Sequence, residues 1–378
     1  RRLFGALVVF STLRFISNGW IDCQIVDPLL TFPFEGFEWL PRPNRLGAYL
    51  LFAGMLIGGV SIMTGKIYKT GCFVFFICFT YVELLDKSNY LNHYYFVSLI
   101  SFILFFLPAH KPGFQIHSYL LLTCKLLVVM VYFFAGLAKL NGDWLYQAQP
   151  LTLWLPQHSD FPLLGSLFQY RETAYVFSWF GAIFDLATPF ALFSNYTRKY
   201  FYPLLVCFHI LTWMLFPIGI FPWVMIACRT VFFSATTHRR FWDYFKKINL
   251  DLPEASINPS EPRLYKKVLA IIFLTLQFIF PLRHVMYSGN YLWHEAGYRF
   301  GWRVMLIEKS GWANFFVVNL NGNRKEIELS SWLTKNQEKM VSTQPDMIVQ
   351  FAHHLSDYWR DSLHQDIAVN AEVCAGFY

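Results

Sequence analysis

Charge is what this sequence has least of. Acidic and basic side chains make up 15% of its 378 residues, whereas 55% are hydrophobic and 20% aromatic. A soluble domain carries about 25% charged residues, so a solvated globular protein is excluded and a chain that crosses a membrane repeatedly is expected. Familiar chemical signatures are missing too. There is no Gly-rich phosphate loop, no Gly-x-Ser-x-Gly, no His-Glu-x-x-His and no Cys-x-x-Cys. His353 and His354 are adjacent, which suits neither an i,i+4 metal pair nor a zinc cluster, so they fit a solvated helix face and no metal is expected. No internal repeat or low-complexity run occurs.

What is present is a series of apolar runs near the length that spans a bilayer, about 20 residues. They lie near 3–19, 46–64, 71–86, 94–109, 118–140, 175–193, 200–217, 219–235 and 266–284. These predict about nine transmembrane helices, an all-α polytopic bundle over residues 1–285. Arg14, Glu83, Lys125, Asp185, His209 and Arg229 fall inside the runs, so the bundle has a polar interior. Lys and Arg set the orientation. With the N-terminus cytoplasmic, fourteen basic residues between Arg1 and Lys267 fall inside and four, Arg42, Arg45, Lys87 and Arg171, fall outside. The formal charge of +7 reflects this bias and is no sign of nucleic-acid binding. The opening RRLFGALVVFSTLRF lacks a small-residue cleavage site and is read as the first span, not a signal peptide.

After Met286 charged and apolar residues alternate. RVMLIEKS and ANFFVVNL predict strands, Asn321 and Gly322 a turn, Ser331 to Lys339 and Asp346 to Ser362 helices, and IAVNAEVCAGFY a strand that stops abruptly. Residues 286–378 therefore predict a small α+β domain on the lumenal or periplasmic side, expected to be a shortened version of something longer. Cys72, Cys78, Cys124, Cys207 and Cys228 lie in spans and read as apolar packers. Cys23 and Cys374 both fall outside, in an oxidising compartment, and are the candidates for a disulfide.

Polar residues gather at the outer ends of the runs. Lys139 ends the fifth in YFFAGLAKLNGDWL, with no acidic residue nearer in sequence than Asp143; His93 opens the fourth; FPIGIF, with Gly219, is the outer turn between the seventh and eighth; and His209 lies about two turns deeper. Irregular backbone at that depth is tolerated where it is buried or lines a cavity, so a site is expected there. Plainer roles stay open: a snorkelling Lys139, a His93 bonded to backbone with Asn92 as the helix cap, a core-bonded His209, and an Asp185 paired with Arg14, Lys125 or Arg229.

ELLDKSNYLNHYYF, VYFFAGLAKLNGDWL, IFDLATPFALF and CFHILTWMLFPIGIFPWVMIA occur in this order. Together they resemble the membrane domain, or HTTM domain, of the vitamin K-dependent gamma-carboxylase family. GFEWLPRP and YRFGWRVMLIEKSG are also similar to the family, especially its bacterial members. The resemblance implies an integral membrane enzyme that couples epoxidation of vitamin K hydroquinone to carboxylation of a peptide glutamate, with O2 and CO2 as co-substrates. By motif, Lys139 matches the base that deprotonates the hydroquinone and His93 the histidine that assists carboxylation. Asn92, His209, Asp185 and Gly219 are then the quinone-pocket candidates. A buried lysine without a counter-ion favours the free amine a base needs, which accounts for the missing acidic neighbour. The implied partners are a glutamate-containing protein, an isoprenoid quinone arriving from the bilayer, and lipid. The expected location is a bacterial inner membrane, or the endoplasmic reticulum in a eukaryote. The tail is much shorter than the lumenal part of the animal carboxylases. Two alternatives therefore stand beside this reading: a quinone-oxidising relative without carboxylation, and a non-catalytic lipid-binding or transport protein.

Overall fold

The computed structural model describes residues 1–109, 115–234, 236–238, 240, 256–257, 262–318, 322–363 and 367–377. Each apolar run folds as a helix. They are α1 Arg2–Ser17, α2 Arg45–Thr64, α3 Tyr68–Leu85, α4 Asn92–Phe106, α5 Ser118–Ala138, α8 Arg171–Phe193, α9 Asn195–Leu215, α10 Phe221–Arg229 and α11 Leu264–Ile279. Two short helices, α6 Gly142–Gln147 and α7 Leu151–Trp154, cross the outer end between α5 and α8. Among the described residues five helices are long and apolar enough to cross a membrane: α2, α3, α5, α8 and α11 with its 3-10 extension to Met286. These make the chain a membrane protein.

The other four runs fall short of that measure for different reasons. The 16 residues of α1 rise only about 24 Å, and α4 has 15 residues. The length of α9 is sufficient, but Arg198 and Lys199 sit in its first turns. The run predicted at 219–235 shrinks to α10 and one 3-10 turn, Thr230–Phe232, because Pro222 fixes its start at Phe221 and Arg229 lies at its end.

Outside the bundle, strands β1 Lys309–Val318, β2 Arg324–Ile327 and β3 Ala368–Phe377 form an antiparallel sheet in the order β2-β1-β3. Helix α13, Pro345–Leu363, buries Met347, Phe351 and Leu355 with Phe315 and Val317 of β1, and Leu30 and Phe32 from the first outer loop join the same core. The turn glycine Gly322 has φ +77°, as a hairpin turn requires; Asn321 lies outside the described residues. The helix expected from Ser331 starts later, as α12 Lys335–Val341, because Thr334 and Gln337 form a reciprocal capping box.

RVMLIEKS is a correction: residues 303–308 form no strand. Phe300, Trp302 and Met305 take left-handed φ of 59°, 58° and 57°, which breaks the extended geometry. This strap is held by the bundle instead. Trp302 is fully buried and stacks on Tyr95 at 5.0 Å, Asn92 Nδ2 donates to the Arg303 carbonyl at 2.6 Å, and the Phe300 amide donates to the Tyr90 hydroxyl at 2.7 Å.

The C-terminal domain docks on the loop between α3 and α4. Gln337 Nε2 donates to Asp86 Oδ2 at 2.8 Å, and Asn336 Nδ2 donates to the Ser88 carbonyl at 3.0 Å. Asp346 receives Lys87 Nζ at 2.8 Å and Arg299 Nη1 at 2.6 Å. Burial pushes the Asp346 carboxyl up, but the Arg299 guanidinium and Lys87 ammonium outweigh it and hold it below the usual carboxylate range. A depressed carboxylate contributes stability above its unfolded value, about pH 3.9, and loses it as pH falls through the folded value. Docking should therefore be unchanged near neutrality and loosen below about pH 4, read as faster hydrogen exchange in residues 299–306. Asp346→Asn should show that looser state already at neutral pH.

Candidate active site

The site begins where α5 meets α8. A Cβ on Gly136 would lie 2.9 Å from the backbone nitrogen of Leu186, so only glycine permits the observed approach of these helices. Lys139 follows directly at the C-terminal end of α5. Its Nζ lies 2.8 Å from Asp185 Oδ2, donates to the Ala135 carbonyl at 3.3 Å and sits 5.2 Å from the Trp144 ring centroid. Lys139 is 7% exposed and Asp185 5%.

Three expectations change here. Lys139 does not snorkel, since it is buried and paired. It does not lack a counter-ion, because the helix crossing supplies a carboxylate 46 residues away in sequence. Asp185 in turn pairs with Lys139 and with none of Arg14, Lys125 or Arg229. Asp143, the nearest acid in sequence, lies in the first turn of α6 and is not the partner.

The pair lines a cavity of about 100 Å³. Its walls are aromatic, with Trp144, Phe177, Phe208, Phe216 and Phe221, and its polar groups are Lys139, Asp185, Tyr132, Thr212 and His209. His209 Nε2 lies 2.9 Å from the Tyr132 hydroxyl and also meets Arg229 Nη2. Val304 and Met305 of the strap complete the lining. These two residues were missed from sequence. YRFGWRVMLIEKSG carried the family resemblance, but reading RVMLIEKS as a strand placed it in the outer sheet.

His93 is not part of this lining. Its ring stands 5.6 Å from that of Phe221, a lining residue, and His209 stands 6.2 Å from the same ring. His93 is buried, with its ring 4.5 Å from that of Tyr94. Asn92 is the first residue of α4, not its cap, and it ties α4 to the strap. Gly219 makes the outer turn at φ +60° between cavity residues Ile218 and Phe221 without lining the cavity itself. Cys23 and Cys374 are free thiols. Cys23 sits in the π-helical turn after α1 and Cys374 in β3 opposite Trp312.

A helical membrane bundle with a buried lysine–aspartate pair facing an aromatic cavity defines the class. The model of the HTTM domain matches residues 1–236, and that of the vitamin K-dependent gamma-carboxylase lumenal domain matches residues 263–377. The chain belongs to the vitamin K-dependent gamma-carboxylase family. No solved structure gives a significant match.

Proposed function

We propose that this protein is an integral membrane gamma-glutamyl carboxylase that couples epoxidation of vitamin K hydroquinone to carboxylation of a peptide glutamate. The observation that carries the reading is the Lys139–Asp185 pair on the wall of an aromatic cavity at the outer end of the bundle. The residues fit a quinol: flat apolar walls for the rings, and a small number of polar groups for its oxygens. A cavity of about 150 Å³ takes one benzene ring, so the 100 Å³ here requires rim side chains to move for a fused ring. Met305, flexible and at that rim, is suited to move.

When bound, the quinol supplies, on oxidation by O2, the strong base that removes the γ-proton of glutamate before CO2 adds. The protein's own part is to take the first proton. A buried lysine–aspartate pair holds the same number of protons whether as ammonium and carboxylate or as amine and carboxylic acid. In the second form Lys139 Nζ is free to accept the quinol hydroxyl proton while Asp185 keeps the pair's original one. The counter-ion thus serves the base role that its presence first argues against. The apolar walls keep water from the reacting atoms. In this reading His93, whose ring stands 5.6 Å from that of Phe221, serves the glutamate side of the reaction. On the same reading the domain from 286 lies on the lumenal or periplasmic side.

Gly181 tests the location of the quinol. A Cβ there meets only Trp144 Cζ2, at 3.7 Å, so a larger side chain enters the cavity without a backbone clash. Gly181→Leu should keep or improve stability, since leucine suits a helix better by about 1 kcal/mol. It should raise KM for the hydroquinone about tenfold or more, as loss of ligand space does. Unchanged kinetics would place the quinol elsewhere.

A further inference from the structure

Arg229 is fully buried, and among the described residues no acidic side chain pairs with it. Its guanidinium lies over the Tyr132 ring, 4.4 Å from the centroid, and Nη2 meets His209 Nε2. Its Nε and Nη1 have no hydrogen-bond partner.

An arginine has five N–H donors and no acceptor, so His209 Nε2 must present its lone pair. The Tyr132 hydroxyl, 2.9 Å from the same nitrogen, then also donates to it. The proton of the neutral ring therefore sits on Nδ1. Protonating Nε2 as well would set two N–H groups against each other and add a second cation beside the guanidinium in a low-dielectric interior. His209 is 3% exposed, its Nδ1 is buried without a protein partner, and the ring lines the same cavity as Lys139. A buried donor left unbonded is costly, and an oxygen of a cavity ligand would satisfy it.

We infer that Arg229 fixes His209 as a neutral imidazole whose Nδ1–H donates a hydrogen bond to the ligand oxygen that becomes negative as its proton leaves. His209 is then an oxyanion donor and not a base. Arg229 is a positioning residue that acts through it. This rests on the quinol reading above and adds to it the group that stabilises the charge once Lys139 has taken the proton.

The probe is 2-methyl-1-naphthol, whose neutral and ionised forms absorb differently, added to the full-length protein in detergent. The wild type should bind it with a larger ionised fraction than water gives. His209→Ala and Arg229→Met should each weaken binding about tenfold and return the probe to its neutral form. His209→Gln and Arg229→Lys, which keep a donor at each place, should retain most of the effect. In histidine-labelled protein the ¹⁵N signals of His209 should show Nδ1 protonated and Nε2 bare, and Arg229→Met should give a mixture of tautomers, which a merely structural arginine would not cause. A wild-type His209 protonated at Nε2 would overturn the inference without any variant. So would a probe equally ionised in wild type, His209→Ala and Arg229→Met; if Lys139→Met abolished ionisation in the same series, the quinol reading would survive alone. Failure of the wild type to bind the probe would remove both.

Discussion

Lys139→Ala protein should fold, reach the membrane and form no detectable epoxide from vitamin K hydroquinone. General-base catalysis is worth about 10²- to 10⁴-fold, and among the cavity-lining residues Lys139 is the amine. The truncation leaves space beside Asp185 that a small primary amine can enter. Added amine should restore part of the rate, and the restored part should grow with pH as the free base, with pKa about 10.4, accumulates. His93→Ala should lower CO2 fixation more than epoxide formation, since its proposed role comes after the hydroquinone has lost its proton. A well-folded Lys139→Ala protein that oxidised the hydroquinone at a substantial rate would remove the lysine from the chemistry.

Asp185→Leu should be the most damaging single change to stability. It leaves an ammonium buried at the helix crossing without its carboxylate, and breaking a buried pair costs about 3–5 kcal/mol. Lys139→Met should also destabilise, because each orphaned group must neutralise to stay buried, the carboxyl by keeping a proton and the lysine by giving one up. Combining Lys139→Met with Asp185→Leu should bring thermal stability in detergent back to within about 1–2 kcal/mol of wild type, since apolar pairs of similar volume replace buried ion pairs at little cost. All three proteins should lack quinol turnover. The recovery in the double variant matters, because it shows that each single loss strands a buried partner. An Asp185→Leu protein as stable as wild type would mean that the two groups do not share a proton or a charge.

Much of the bundle was legible in the sequence because apolar runs report burial in lipid directly. The limits came from single residues. Pro222 and Arg229 shorten the eighth run to nine helical residues, and the small polar count in α9 lowers its hydropathy below what its length promises. The sheet was legible where β1 alternates, and failed at RVMLIEKS, where left-handed φ angles and the burial of Trp302 override an extended pattern.

The site was legible unevenly. Lys139 and His209 line the cavity, but the sequence near Lys139 holds no sign of Asp185, because the contact depends on how closely α5 and α8 cross at Gly136. Val304 and Met305 could not be placed by pattern, since a strap that enters a bundle has no periodicity. His93 lies in the first turn of α4 but is not among the cavity-lining residues, and packs on Phe221, which is.

The most direct test is to supply purified wild-type protein with vitamin K hydroquinone, O2, labelled bicarbonate and a short glutamate peptide, following epoxide and fixed label together. The account predicts both products, with epoxide formation abolished in Lys139→Ala and label fixation lost with it. Epoxide without fixed label would leave a quinone-oxidising relative, and neither product from folded wild-type protein would contradict the account.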